Sequence, residues 1–194
     1  HQSIEDIALM RVLPNMTVLV PADANETKRM MDAALEIDGP VYLRLGRLAT
    51  DIILPEDYQF EVGKAATLKD GKDVTIIAIG LMVERALAAA DDLAKEGISA
   101  RVLNMGSVKP IDRAAIEAAA KETGAIVTAE EHSIIGGLSG AVCEVLAETT
   151  PAPVEKVGVM DTFGESGKAL EVLEHYNLTS DAIVKAARKV MARK

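Results

Sequence analysis

The stretch that decides the fold is Gly124–Glu148, GAIVTAEEHSIIGGLSGAVCEVLAE. Ala125 to Thr128 is a short, continuous apolar run, the pattern of a strand buried on both faces. From Ser139 onward, Val142, Leu146 and the neighbouring alanines recur at helical spacing. Between the two, Glu130, Glu131 and His132 fall where the strand's carboxyl end should emerge, and Gly136 and Gly137 let the backbone turn into the helix. Strand, loop and helix in this order predict an open α/β sheet, whose strand ends are where ligands usually sit.

Toward the amino terminus the same alternation repeats. Residues 65–69 and 74–79 flank Asp70-Gly71-Lys72-Asp73, which reads as a hairpin with a glycine turn. Residues 82–96 give an amphipathic helix ended by Gly97, residues 100–104 a strand, and Asp112 caps a helix running to about Thr123. Beyond Glu148, Pro151 and Pro153 prepare a strand at Val154–Val159. A helix ending near His175 and a last one from Ser180 to Met191 complete the chain. Residues 60–194 therefore predict a three-layer α/β/α sandwich with a mostly parallel sheet and one antiparallel edge strand.

Residues 1–48 form a smaller unit, with 49–59 as a linker. Residues 4–11 are helix-like, Thr17–Val20 and Val41–Leu45 are strands, and Asp23 with Glu26 makes a capping box for a helix from Ala24 to Ile37. Its inward face would be Met30, Met31, Ala34 and Leu35. Two parallel strands do not make a stable sheet alone. The segment therefore predicts a partial βαβ remnant of a second α/β domain, with an unpaired edge and an apolar face for another chain to cover. The chain opens at His1 without methionine or leader, which predicts a piece of something longer.

Composition narrows the function. A net charge of −9 over 194 residues argues against nucleic acid or an anionic membrane as partner. The single cysteine, Cys143, lies in the apolar helix pattern, excludes a disulfide framework and points to a reducing, cytoplasmic setting. The glycines at 136, 137 and 140 lack dinucleotide or P-loop spacing and read as close packing. Glu130, Glu131, His132 and Asp161 are adequate zinc ligands in type, yet a hydrogen-bonded acid and a satisfied histidine are the simpler reading. The basic run Lys185, Arg188, Lys189, Arg193 and Lys194 suits a helix carboxyl end. Phe163 in the turn Phe163–Gly167 hints at a partner surface. Arg44 and Arg47, at the end of a strand, can each grip a phosphate or carboxylate in two-pronged fashion or pair with a surface acid.

Several strings together resemble the carboxy-terminal part of transketolase. HQSIEDIALMRVLPN at 1–15, PADANE at 21–26 and LGR at 45–47 resemble the end of that family's pyrimidine-binding domain. TAEEHSIIGGLSGAVCEVLAE and DTFGESGKALEVLEHYNLT resemble its C-terminal domain, most closely in the short two-subunit bacterial and archaeal form. The resemblance implies an enzyme that uses thiamine diphosphate and magnesium to move a two-carbon ketol unit between sugar phosphates. It implies that His1 contacts substrate and that Arg47 binds the sugar phosphate, with no counterpart for Arg44. The family's catalytic glutamate, its aromatic residues around the cofactor ring, and its glycine-aspartate-glycine metal segment have no match here, so the chain is expected not to bind cofactor or catalyse alone. Its expected partners are the missing amino-terminal part or subunit and, in a homodimer, a second copy. The beta subunit of 2-oxo acid dehydrogenases and deoxyxylulose-phosphate synthase share this layout and stand as alternatives. A reading of another class is a non-catalytic regulatory or assembly module, with an effector at the edge formed by Glu130, Glu131, His132 and Gly136.

Overall fold

In the computed structural model, residues 3–194 are described; His1 and Gln2 lie outside them. The chain forms α1 (Asp6–Val12), β1 (Thr17–Leu19), α2 (Ala24–Glu36) and β2 (Val41–Leu43). It continues through β3 (Ala66–Lys69), β4 (Val74–Ala78), α3 (Met82–Lys95), β5 (Ala100–Asn104), β6 (Ser107–Lys109) and α4 (Arg113–Glu122). It ends with β7 (Ile126–Ser133), α5 (Leu138–Glu148), β8 (Val154–Val159), α6 (Ala169–His175) and α7 (Ser180–Met191).

Five strands make the main sheet in the order β3-β5-β4-β7-β8, all parallel except the edge strand β3. The expected three-layer sandwich is present. On one face Val74, Ile76, Val127 and Val159 pack against Met82, Ala86, Leu93, Ile183 and Ala187 of α3 and α7. On the other, Ile77, Ile79 and Ile126 meet Ile116 of α4 and Leu138, Val142 and Leu146 of α5. That second cluster also takes in Ile7, Val18 and Val20, so the amino-terminal segment shares its core.

Two features depart from the local reading. The first is the expected hairpin between β3 and β4, which does not form. β3 pairs antiparallel with β5, while β4 lies on the other side of β5, parallel to it and to β7. Residues 70–73 instead cross the start of β5. Lys72 and Asp73 both donate their amides to Ser99 O, at 3.1 and 2.9 Å, and the Asp73 carboxylate accepts from Ser99 N at 2.7 Å. All five residues of β4 are buried, so it takes a central place with a parallel neighbour on each side. The second is β6, three residues too short to show in the sequence. It runs antiparallel to β1 and makes a second sheet, β2-β1-β6, that joins the amino-terminal segment to the rest.

α2 begins as expected: Asp23 accepts from Glu26 N at 2.8 Å. The Glu26 carboxylate returns to Ala22 N at 2.7 Å, one residue before the cap. Its inward face is narrower than the periodicity suggests. Met30 is fully buried, but Met31 is 53% and Leu35 84% exposed. Among the described residues no strand pairs with the outer edge of β2, and Met31 and Leu35 leave apolar surface exposed on α2, as expected.

Candidate functional site

Glu130, Glu131 and His132 lie within β7, which runs on to Ser133 because Ile134 N still donates to Val159 O at 3.0 Å. Glu130 is fully buried, and its two carboxylate oxygens accept the amides of Leu138 and Ser139 at 2.6 and 2.8 Å. The amino end of α5 thus already holds an anion, the chain's own. Burial pushes the Glu130 carboxyl above its usual range, against the opposing pull of the Ser139 amide, the neighbouring His132 and the Leu138 amide. A Cβ on Gly137 would overlap the Glu130 carboxylate, and one on Gly136, at φ +76°, would stand 2.9 Å from Ala8 Cβ. The paired glycines make room for a carboxylate on one side and a helix on the other.

His132, also fully buried, has Nδ1 2.7 Å from Ser133 O and Nε2 3.3 Å from Ala8 N. Asp161, the remaining candidate ligand, is exposed. Among the described residues no three His, Cys, Asp or Glu side chains gather as a metal site. Cys143 is half-buried on α5.

The two arginines after β2 have different fates. Arg44 is largely buried: Nε lies 2.9 Å from Asp6 Oδ2, Nη1 3.4 Å from Glu131 Oε2, and Nη2 donates to Glu131 O at 3.0 Å and Ser3 O at 3.2 Å. Tyr42 OH adds 2.8 Å to the same Asp6 oxygen. Burial would raise the Asp6 carboxyl, but the Arg44 charge and the Tyr42 and Arg44 hydrogen bonds outweigh it and hold it below its usual range. At Glu131 burial wins and the carboxyl is raised despite Arg44. This network joins α1, β2 and β7, and the residue spacing alone carried no signal for it.

Arg47, three residues on, is exposed and makes no ion pair with a described residue. It lines a cleft of about 500 Å³ whose other walls include Ser3, Leu48, Glu131, Lys168 and Tyr176. The cleft runs between the end of β2 and the segment before α6. Phe163, in that segment, is 93% exposed, and its carbonyl accepts from Tyr176 OH at 2.9 Å. Of the basic run at the end of the chain, Arg188 pairs with Glu96, Lys189 and Arg193 pair with Glu155, and Lys194 donates to Asp73 O, while Lys185 is exposed.

A second buried acid went unnoticed in the sequence except as a cap. Glu26 is 1% exposed and accepts from Asn104 Nδ2 at 2.8 Å, which ties α2 to the end of β5. Burial pushes its carboxyl up to about 7, with the Ala22 amide and Asn104 opposing and the Asp23 charge adding to the rise. Gly106 lies against both Glu26 and Met30 with no space for a Cβ.

Residues 63–183 match the transketolase C-terminal domain, and residues 1–51 match the transketolase pyrimidine-binding domain. Among curated proteins, the chain is 47% identical over 194 residues to a 6-deoxy-6-sulfo-D-fructose transketolase subunit of Clostridium sp. (strain MSTE9), covering all of this chain and 60% of that one. It is 44% identical over 188 residues to one of the subunits of an apulose-4-phosphate transketolase of Phocaeicola vulgatus, with 96% and 60% covered. A 1-deoxy-D-xylulose-5-phosphate synthase of Heliobacterium modesticaldum is 38% identical, but the match spans only 30% of that protein. A solved structure described as a split gene transketolase, inactive beta4 tetramer, superposes with a TM-score of 0.96 at 55% identity, covering 99% of this chain and 63% of that one. The chain spans about three fifths of the length of the curated transketolase subunits it matches. With both segments matched in order, the chain belongs to the transketolase family as a C-terminal section, the end of the pyrimidine-binding domain followed by the C-terminal domain.

Proposed function

We propose that this chain supplies the substrate-anion end of the active site of a two-part transketolase-type transferase, one that moves a two-carbon ketol unit between sugar phosphates. The observation that carries the reading is the contrast between Arg44 and Arg47. Arg44 is committed to Asp6 and Glu131, whereas Arg47 stands exposed at the rim of the cleft with its fork of donors unpaired among the described residues. A guanidinium so placed fixes the terminal anion of a sugar, and through it the reacting carbonyl some carbons away. The names of two relatives support this, since 6-deoxy-6-sulfo-D-fructose and apulose-4-phosphate both carry a terminal oxyanion. His1, two residues before Ser3 of the cleft wall, is proposed as the second substrate contact; it lies outside the described residues.

The described residues do not fit thiamine diphosphate and magnesium. No three metal-ligating side chains gather, and the sequence has no glycine-aspartate-glycine string. In this reading the cofactor belongs to the remainder of the enzyme, and no step of its chemistry is assigned to this chain. The exposed Met31 and Leu35 on α2 and the open edge of β2 are the surface proposed for that remainder.

The test is reconstitution. The chain joined to, or mixed with, the remainder of its enzyme should transfer ketol units from a ketose phosphate to an aldose phosphate when thiamine diphosphate and magnesium are added. Equal transfer by this chain alone would contradict the reading.

A further inference from the structure

We propose that His132 is a positioning residue: from the C-terminal domain it holds the first turn of α1, and so fixes Ser3 and Ile4, which line the cleft beside Arg47. The proposal rests on the reading that His1 contacts substrate.

α1 has seven residues, too few to be stable by itself, and Glu5 at its start gives no side-chain cap. The amides of a first helical turn have no partner within the helix. One of them, Ala8 N–H, points at His132 Nε2, 124 residues away in sequence. The other ring nitrogen, Nδ1, faces Ser133 O, and a carbonyl oxygen only accepts. Nδ1 therefore carries the proton and Nε2 offers a bare lone pair to Ala8. The ring is fully buried, so water does not replace it.

Three further contacts hold the same segment to the end of β7, to α5 and to the loop between them. Ser133 N donates to Ile4 O at 2.6 Å, Arg11 Nη1 donates to Gly136 O at 2.5 Å, and Arg11 Nη2 pairs with Glu144 at 2.6 Å. Gly136 lets Ala8 approach closely. Both ends of α1, and Ile4 before it, are thus set by β7, α5 and the loop that joins them. A C-terminal domain that carries no reacting group in the proposed mechanism nonetheless sets where α1 and the cleft-lining Ser3 and Ile4 lie.

The test compares two substitutions in the full-length enzyme. His132→Gln places an amide oxygen near the position of Nε2, whereas His132→Asn keeps a donor near Nδ1 and leaves Ala8 without an acceptor. His132→Asn should speed amide exchange across α1 and raise KM for the acceptor sugar phosphate, each about fivefold, with kcat little changed. His132→Gln should recover both. Ala8→Pro removes the donor from the other side, in the first turn where no intrahelical bond is lost, and should raise KM as His132→Asn does even if that variant fails to fold. Unchanged exchange across α1 in His132→Asn, or equal KM in the Asn and Gln variants, would overturn the proposal. His1→Ala separates it from the reading beneath it. A KM unmoved by His1→Ala overturns the substrate contact, and a KM moved by His1→Ala but not by His132→Asn or Ala8→Pro overturns the positioning role.

Discussion

The Glu130 carboxylate, in β7, lies 2.6 Å from the amide of Leu138, the first residue of α5, and closes the turn between them with the chain's own charge. An acid there does the work that a serine or aspartate does at an ordinary helix start, but from the preceding strand and at zero exposure. Glu130→Ala leaves two buried amides unmatched and should cost roughly 3 kcal/mol of unfolding free energy. Glu130→Gln, which keeps one carbonyl acceptor, should cost about half as much. Urea unfolding of the two variants beside the parent measures both.

Glu26 gives the protein a dependence on pH. Its carboxyl sits at about 7 in the fold, against 4.5 for an unperturbed glutamate. The folded state therefore holds a proton that the unfolded state gives up. Stability is full below about 4.5 and is lost as pH rises to about 7, by roughly 3 kcal/mol. Glu26→Gln should flatten that slope in thermal melts taken from pH 4.5 to 8.

Arg44 is predicted to be structural. Arg44→Ala leaves Asp6 and Glu131 facing one another half out of water and should destabilise the chain by about 2 to 3 kcal/mol. Asp6 adds a sign to the prediction. Its depressed carboxyl contributes stability above its ordinary value near 3.8, lost as pH falls. The acid limb of the stability curve should therefore be shallower in Arg44→Ala, as a pH series of urea midpoints would show.

The exposed face of α2 should matter to assembly and not to folding. Met31→Lys and Leu35→Lys change residues with more than half their surface in water. Each should alter stability by less than about 0.5 kcal/mol while weakening association with the remainder of the enzyme, measured by analytical ultracentrifugation of the mixture.

The elements written locally were legible. The last helix runs from Ser180 to Met191, Asp112 caps α4 through Ala115 N at 3.0 Å, and Val154–Val159 forms β8 after its two prolines. What escaped the reading depends on residues far apart. Asp70-Gly71 has the chemistry of a hairpin turn, but β4 finds β5 and β7 through crossovers, and Gly71 is needed because a Cβ there would overlap the backbone of Ala100 and Arg101. β6 exists only because β1 offers it an edge. Met31 and Leu35 match the helical period of a buried face, yet Met30 is fully buried and those two are mostly exposed. At the site, the spacing of Arg44 and Arg47 made them equals; only the positions of Asp6 and Glu131 tell them apart.

That distinction is open to measurement in the reconstituted enzyme. There, kcat/KM would be compared for an aldose phosphate and for the same aldose without its phosphate, with Arg47 present and with Arg47→Ala. Arg47→Ala should lower kcat/KM for the phosphorylated sugar by roughly tenfold to a hundredfold, the scale of a charge-assisted hydrogen-bond pair, while the unphosphorylated sugar and the unfolding midpoint barely change. Equal losses for both sugars, or no loss for either, would contradict the role proposed for Arg47.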